Sequence, residues 1–355
     1  MHALFFFQSK EHLFETSWCA WFRRPTFERL KAVLLAWQLV VAVVIILAST
    51  ESLYGADARE MIREGMKALH VSKGDSGLCV VTDATYVTAK GKGCGPYVDL
   101  IREETGCSVG KGNLLFLHRR ADYPLKIVLF AGDTKECVAL SYEDGIWKNG
   151  RYDISLDALA KKDAWQKMGR PLAPDAFAVA TLCHAWSAGA PEDLLKCAEL
   201  HGHLCPGVTA GYMIARFIME RYPLKNQDQY RWIASPVYCK EDAIQVLLDA
   251  TPGKKTLITE KLSTREQEEL AQKKAVGVLV VWNTKEKRGK GAVLGFDWSK
   301  APEKDKLRKL LHMLSHVDSP GDFVFMIKQF DVTVPIMERL TAERGNPYEW
   351  LGLME

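Results

Sequence analysis

Residues 96–118 read PYVDLIREETGCSVGKGNLLFLH, and residues 239–259 read CKEDAIQVLLDATPGKKTLIT. Each stretch is a helical segment, a glycine-bearing turn and an apolar run. In the first, Pro96 stands where a helix can begin and Gly106 where it can end, and residues 113–118 then read as a strand. In the second, a helix over 241–250 leads to a strand near 255–259. At a constant offset of 143, Asp99, Ile101, Gly110 and Lys111 fall opposite Asp242, Ile244, Gly253 and Lys254 without a gap. A fixed period is the mark of a repeated unit, so the chain is expected to hold two related α/β halves; the alternative is chance likeness between two helix–turn–strand units.

Outward from these segments the pattern keeps alternating. Met61, Ile62, Met66 and Leu69 share a helical face, Leu78–Val81 is a β-type run, and apolar runs at 125–131 and 136–142 read as strands. Residues 151–186 are helical in pattern, SAGAPED at 187–193 is a turn, and a helix over about 207–221 precedes a β-type run at 231–238. Further strands are expected at 276–282 and 291–296. The expected divisions are an N-terminal segment (1–56), an N-terminal α/β half (57–150) and a larger domain (151–355).

The run AVLLAWQLVVAVVIILA at 32–48 carries no charge and follows Arg23, Arg24, Arg29 and Lys31. It lies between a short transmembrane helix and a long signal-peptide core, and the cationic flank keeps the N-terminus on the cytoplasmic side. The expectation is a membrane-anchored protein with an extracytoplasmic domain, or an exported one. A net charge of +3 over 355 residues, without a long basic block, argues against nucleic acid as a partner. None of the nine cysteines is in a C-x-x-C pair, so neither a zinc ribbon nor a thioredoxin motif is present. Six of them (Cys79, Cys94, Cys107, Cys137, Cys183 and Cys197) could form disulfides in an oxidising compartment.

The chemistry concentrates in His201-Gly202-His203-Leu204-Cys205-Pro206-Gly207. On an extended backbone residues 201, 203 and 205 point to one face, bringing two imidazoles and a thiol together. Those donors suit zinc and other borderline or soft transition metals, and three protein ligands leave a fourth position open. Pro206 suits the first turn of the following helix, which makes Cys205 its N-cap. A thiolate there faces unpaired N–H groups, so its pKa is expected to fall, and Cys205 is the candidate catalytic nucleophile or redox centre. Alternatives are a metal-free thiol enzyme built on Cys205 and a membrane-anchored interaction module in which the motif only secures a turn.

HGHLCPGVTAGY at 201–212, Cys239-x-x-Asp-Ala-Ile-Gln-Val246 and Gly253-Lys-x-x-Leu257 resemble the FmdE family, which takes its name from a component of formylmethanofuran dehydrogenase. TGCSVGKGNL at 105–114 resembles another element of the same family. The resemblance implies an α+β fold with a mixed sheet and flanking helices, a homodimer, and a metal site in which Cys239 joins His201, His203 and Cys205. It also implies a metal-binding protein, an oxidoreductase or an accessory of formylmethanofuran and C1 metabolism. An anchor or export segment departs from the intracellular setting of that enzyme. Other candidates read as structural: His312 and His316 at i, i+4 lack an adjoining third ligand, Cys183-His184 lacks a partner, and Lys111 and Lys254 lack the rest of a phosphate loop.

Overall fold

The computed structural model describes residues 31, 33–40, 57–169, 171–341 and 346–354. By contacts the chain divides after Ala58. Before that point residues 31 and 33–40 are helical (α1). Most of the apolar run at 32–48 lies outside the described residues, and among these no helix is long and apolar enough to cross a membrane.

Residues from Arg59 on form one compact unit with two five-stranded sheets. Helix α2 (57–68) leads to β1 (Leu78–Thr82), a small ribbon of β2 (Thr88–Ala89) and β3 (Lys92–Gly93), and α3 (Pro96–Thr105). Then come β4 (Leu114–Phe116), β5 (Leu125–Ala131), β6 (Glu136–Glu143) and β7 (Ile146–Asp153). The first sheet is ordered β4-β1-β5-β6-β7; β1 and β4 are parallel, with Val80 opposite Leu114, and every other pair is antiparallel.

Five helices follow: α4 (Leu156–Leu159), α5 (Ala164–Lys167), α6 (Ala176–Ser187), α7 (Glu192–His201) and α8 (Pro206–Arg221). The second sheet takes β8 (Asp228–Ala234), then α9 (Lys240–Leu248), β9 (Leu257–Thr259), α10 (Thr264–Gln272), β10 (Ala275–Asn283) and β11 (Arg288–Phe296). After α11 (Lys306–Leu314) the edge strand β12 (Val324–Val332) closes it, and α12 (Val334–Thr341) and α13 (Pro347–Trp350) end the chain. Its order is β9-β8-β10-β11-β12, again with one parallel pair, Trp232 opposite Leu257, and antiparallel pairs elsewhere.

Strand for strand the two sheets have one topology. The matches at offset 143 fall on α3 against α9 and on the turns before β4 and β9. The family-like TGCSVGKGNL serves the first of those turns: Asn113 accepts from the Ser108 amide and donates to the Leu78 carbonyl, while Thr105 receives the Cys107 amide.

Between the sheets lie α6, α7, α8, α9 and α11. Cys79, Val81 and Phe130 from the first sheet and Trp232, Leu279 and Leu294 from the second share one core with Val179, Leu194, Met213, Ile214 and Leu310 of these helices. The far face of the second sheet, Ile233, Val278 and Val280, is covered by Leu270, Leu340 and Tyr348.

Two strands differ from the sequence expectation. Residues 151–153 belong to β7 rather than to a helix, and the remainder of 151–186 breaks into α4, α5 and α6. β7 and β12 are edge strands with mostly half-buried or exposed side chains, so neither presents the apolar run by which a strand is read.

Candidate metal centre

The motif is built at a junction between helices. α7 ends at His201, and Gly202 takes the left-handed conformation (φ 81°), its N–H closing on the Ala198 carbonyl at 2.9 Å. A side chain there would be strained and would meet Arg119 Nη1 at 2.7 Å. The chain bends at His203, Cys205 is extended (φ −140°, ψ 167°), and Pro206 opens α8. Leu204 is fully buried in the core.

The expected single extended strand is therefore corrected. A helix C-cap followed by a short bent link brings His201, His203 and Cys205 together, their ligand atoms all lying within 4.8 Å of one another. Among the described residues this is the one such cluster of His, Cys, Asp and Glu, and it could hold a metal ion.

His201 Nδ1 lies 2.6 Å from Asp242 Oδ2 in the first turn of α9. A carboxylate only accepts, so in the neutral ring the proton sits on Nδ1 and the Nε2 lone pair is left for the cluster. That Nε2 is buried and has no hydrogen-bond partner. An orphaned acceptor costs about 1–3 kcal/mol, which a metal bond would offset. The His201 and His203 rings lie 4.4 Å apart, and Phe177 packs edge-on against His203 at 5.4 Å.

Cys239, the N-cap of α9, is not one of the three residues of that cluster but lies beside Cys205. A Cβ on Gly207 would stand 2.9 Å from Cys239 Cβ, 3.4 Å from its Sγ and 3.6 Å from Cys205 Sγ, so the two thiols meet over that glycine. One turn on, a Cβ on Gly211 would lie 2.7 Å from Lys240 Cα and closer still to its carbonyl oxygen. Gly207 and Gly211 thus form a bare strip on α8 into which the start of α9 sinks.

Burial keeps His203 neutral, lowering its pKa to about 4, with help from the charges of His201, Arg119 and Lys306. A neutral imidazole is the ligating form. For the Cys205 thiol the expected fall is overturned: burial raises its pKa, and Cys239 alongside adds to the rise, against the opposing pull of the Val208 and Gly207 amides. The helix terminus alone does not outweigh desolvation.

The remaining candidates are placed as structural. His312 Nε2 bonds the Lys300 carbonyl at 2.9 Å, Nδ1 pairs with Glu303 at 3.0 Å, and His316 stacks on its ring. Cys183 is core, and His184 Nε2 donates to the Ile154 carbonyl at 2.6 Å. Lys111 donates to the Gly106 carbonyl and Lys254 to Asp249, so each already has a partner in the chain. The eight described cysteines form no disulfide.

Sequence reasoning passed over Asp242 and Arg119. Asp242 entered as a repeat match and within the Cys239-x-x-Asp element but not as a site residue, although a carboxylate three residues after a candidate ligand is a usable signal. Arg119 carried none. It donates from Nη1 and Nη2 to the Gly202 carbonyl, both at 3.2 Å, from a position remote in sequence.

Fold and cluster together define an α+β protein with a two-histidine, one-cysteine site able to hold a metal. Residues 200–319, about a third of the chain, match the family model FmdE, described as molybdenum formylmethanofuran dehydrogenase operon. The span takes in the motif, α8, α9 and most of the second sheet. No curated protein matches the chain.

Proposed function

We propose that this is a metal-holding protein of the FmdE family whose ion, most simply zinc, is bound by His201 Nε2, His203, Cys205 Sγ and Cys239 Sγ. The observation that carries the reading is the buried, partnerless His201 Nε2, aimed into the cluster by the Asp242 bond on the opposite ring nitrogen. Two imidazoles and two thiols are a donor set of zinc and related soft or borderline ions. When bound, such an ion supplies a Lewis-acid centre and draws the protons off both thiols.

The chain's own part is geometric. Asp242 fixes the His201 tautomer, burial keeps His203 neutral, and the glycine strip of α8 seats Cys239 beside Cys205. Four protein donors saturate a tetrahedral ion, which favours holding or handing on a metal over hydrolysis by a metal-bound water. The raised Cys205 pKa speaks against the metal-free thiol reading, because the reactive form is the thiolate.

An accessory role in formylmethanofuran-type C1 metabolism is supported by the family description. A tether through 32–48 with an extracytoplasmic body rests on the apolar run and its cationic flank, and a homodimer on the family resemblance. The decisive experiment is elemental analysis of residues 57–355, purified without added metal or a histidine tag, beside the Cys205→Ser variant. About one ion per chain in the wild type and none in the variant is the expected result; a folded wild type without metal overturns the proposal.

A further inference from the structure

Immediately after β4 the chain crosses to the C-terminal end of α7. The His118 amide donates to the Glu199 carbonyl at 3.3 Å, and the Tyr86 hydroxyl donates to Glu199 Oε1 at 2.6 Å. Arg119 follows, and its guanidinium fans out over the turn. Nη1 reaches the His118 carbonyl at 2.8 Å, both terminal nitrogens reach the Gly202 carbonyl at 3.2 Å, and Nε reaches Asp175 Oδ1 at 3.0 Å.

The guanidinium is itself held. Asp175 is buried, pairs with Arg119 at 2.9 Å, and takes the buried Lys126 ammonium on its other oxygen. Asp83, also buried, accepts the Lys126 amide at 2.8 Å. Asp175 thus joins two cations, and Asp83 at the end of β1 holds the main chain of one of them. Charges paired in this way are stiff, because removing one leaves its partner unpaired in a medium of low dielectric.

The Gly202 carbonyl is the acceptor that lies between His201 and His203. Its peptide plane sets where the chain leaves α7 and therefore how far apart the two imidazoles stand. Arg119 comes from the first half of the molecule, outside the span that matches the family model. We infer that Arg119 is a positioning residue for the metal centre: by clamping the Gly202 carbonyl against Asp175 it sets the spacing of His201 and His203, so the first half of the chain tunes an ion that the second half binds. The inference rests on the metal-holding reading above.

Cobalt(II) added alone to metal-stripped protein tests it, with affinity and the ligand-field bands as the two readouts. Arg119→Met keeps the aliphatic stem and removes every donor. It is expected to weaken cobalt binding about tenfold to a hundredfold, as loss of an outer-shell partner does, and to change the bands. Arg119→Lys, which keeps the charge but not the fork, should fall between. Asn113→Ala serves as a destabilised control, because it removes the buried bond to the Leu78 carbonyl far from the motif.

The inference is overturned if Arg119→Met binds cobalt within twofold of wild type with unchanged bands. It is also overturned if Asn113→Ala, at a matched loss of melting temperature, weakens binding equally. A wild type that takes up no cobalt while folded would instead show that the metal reading itself has failed, and the inference with it.

Discussion

The two sheets share one topology, yet only one half of the molecule carries the cluster. In the second half, α8 and α9 approach so closely that two glycines are required, and the contact brings Cys239 to Cys205 and Asp242 to His201. In the first half, α2 and α3 are joined by ion pairs: Arg59 with Glu103 and Glu104, and Arg63 with Glu104, each at 2.6 Å. α2 contains neither histidine nor cysteine, and the N-cap of α3 is Gly95 where α9 has Cys239. The same frame can thus be closed by charge pairs or by a close backbone contact. The backbone contact is the one that brings donor side chains together.

Substituting the glycines strikes at this difference most directly. Gly211→Ala would drive a methyl into Lys240 backbone, which cannot swing aside, and should cost upwards of about 5 kcal/mol or prevent folding, with loss of cobalt binding. Gly65→Ala in α2 would meet side chains rather than backbone, the end of Leu129 at 2.6 Å and Val138 Cγ1 at 3.2 Å, and should cost about 1–3 kcal/mol. Urea unfolding of the pair would break the comparison if the costs proved equal.

Next in size is an effect confined to the first half. Asp83 directly follows β1, as Ser235 follows β8, and burial raises its pKa from 3.8 to about 7. The folded state therefore holds this proton more tightly than the unfolded one. The resulting stability is present at low pH and lost as pH rises from about 4 through about 7. At about 1.4 kcal/mol per pKa unit the loss is on the order of 4 kcal/mol. Asp83→Asn stays neutral, so its stability relative to wild type should climb across that window; a pH-independent difference would refute the assignment.

A smaller effect sharpens the comparison at matched positions. Asp242→Asn should weaken metal binding about tenfold to a hundredfold by freeing the His201 ring, whereas Asp99→Asn at the equivalent place, 74% exposed, should leave it unchanged. Isothermal titration with zinc would separate them. The least effect is expected from Glu104→Gln, which loses the two arginine partners at a cost of up to about 1 kcal/mol, diminishing with added salt.

Much of the frame was legible because its signals are local. Proline and glycine bracket α3, apolar runs mark β1, β5, β6 and β10, and the spacing of Asp99 and Ile101 against Asp242 and Ile244 lies on corresponding helices. β7 and β12 were not legible: an edge strand has one neighbour and little burial, so its side chains are free to be polar. The motif was visible for the same local reason, since His201, His203 and Cys205 are near in sequence and their chemistry shows in their types.

What the sequence by itself determined is therefore a pair of alike helix–turn–strand units and a place where two imidazoles and a thiol gather. What only the tertiary structure decided is how that place is completed: Asp242 on the far side of the His201 ring, Cys239 seated over Gly207, and Arg119 on the Gly202 carbonyl. These contacts join residues far apart in the chain, and contacts at such separation depend on how helices and sheets pack rather than on any local pattern. The Cys205 pKa turned on the same thing, because burial, a property of the whole fold, outweighed the pull of a single helix end.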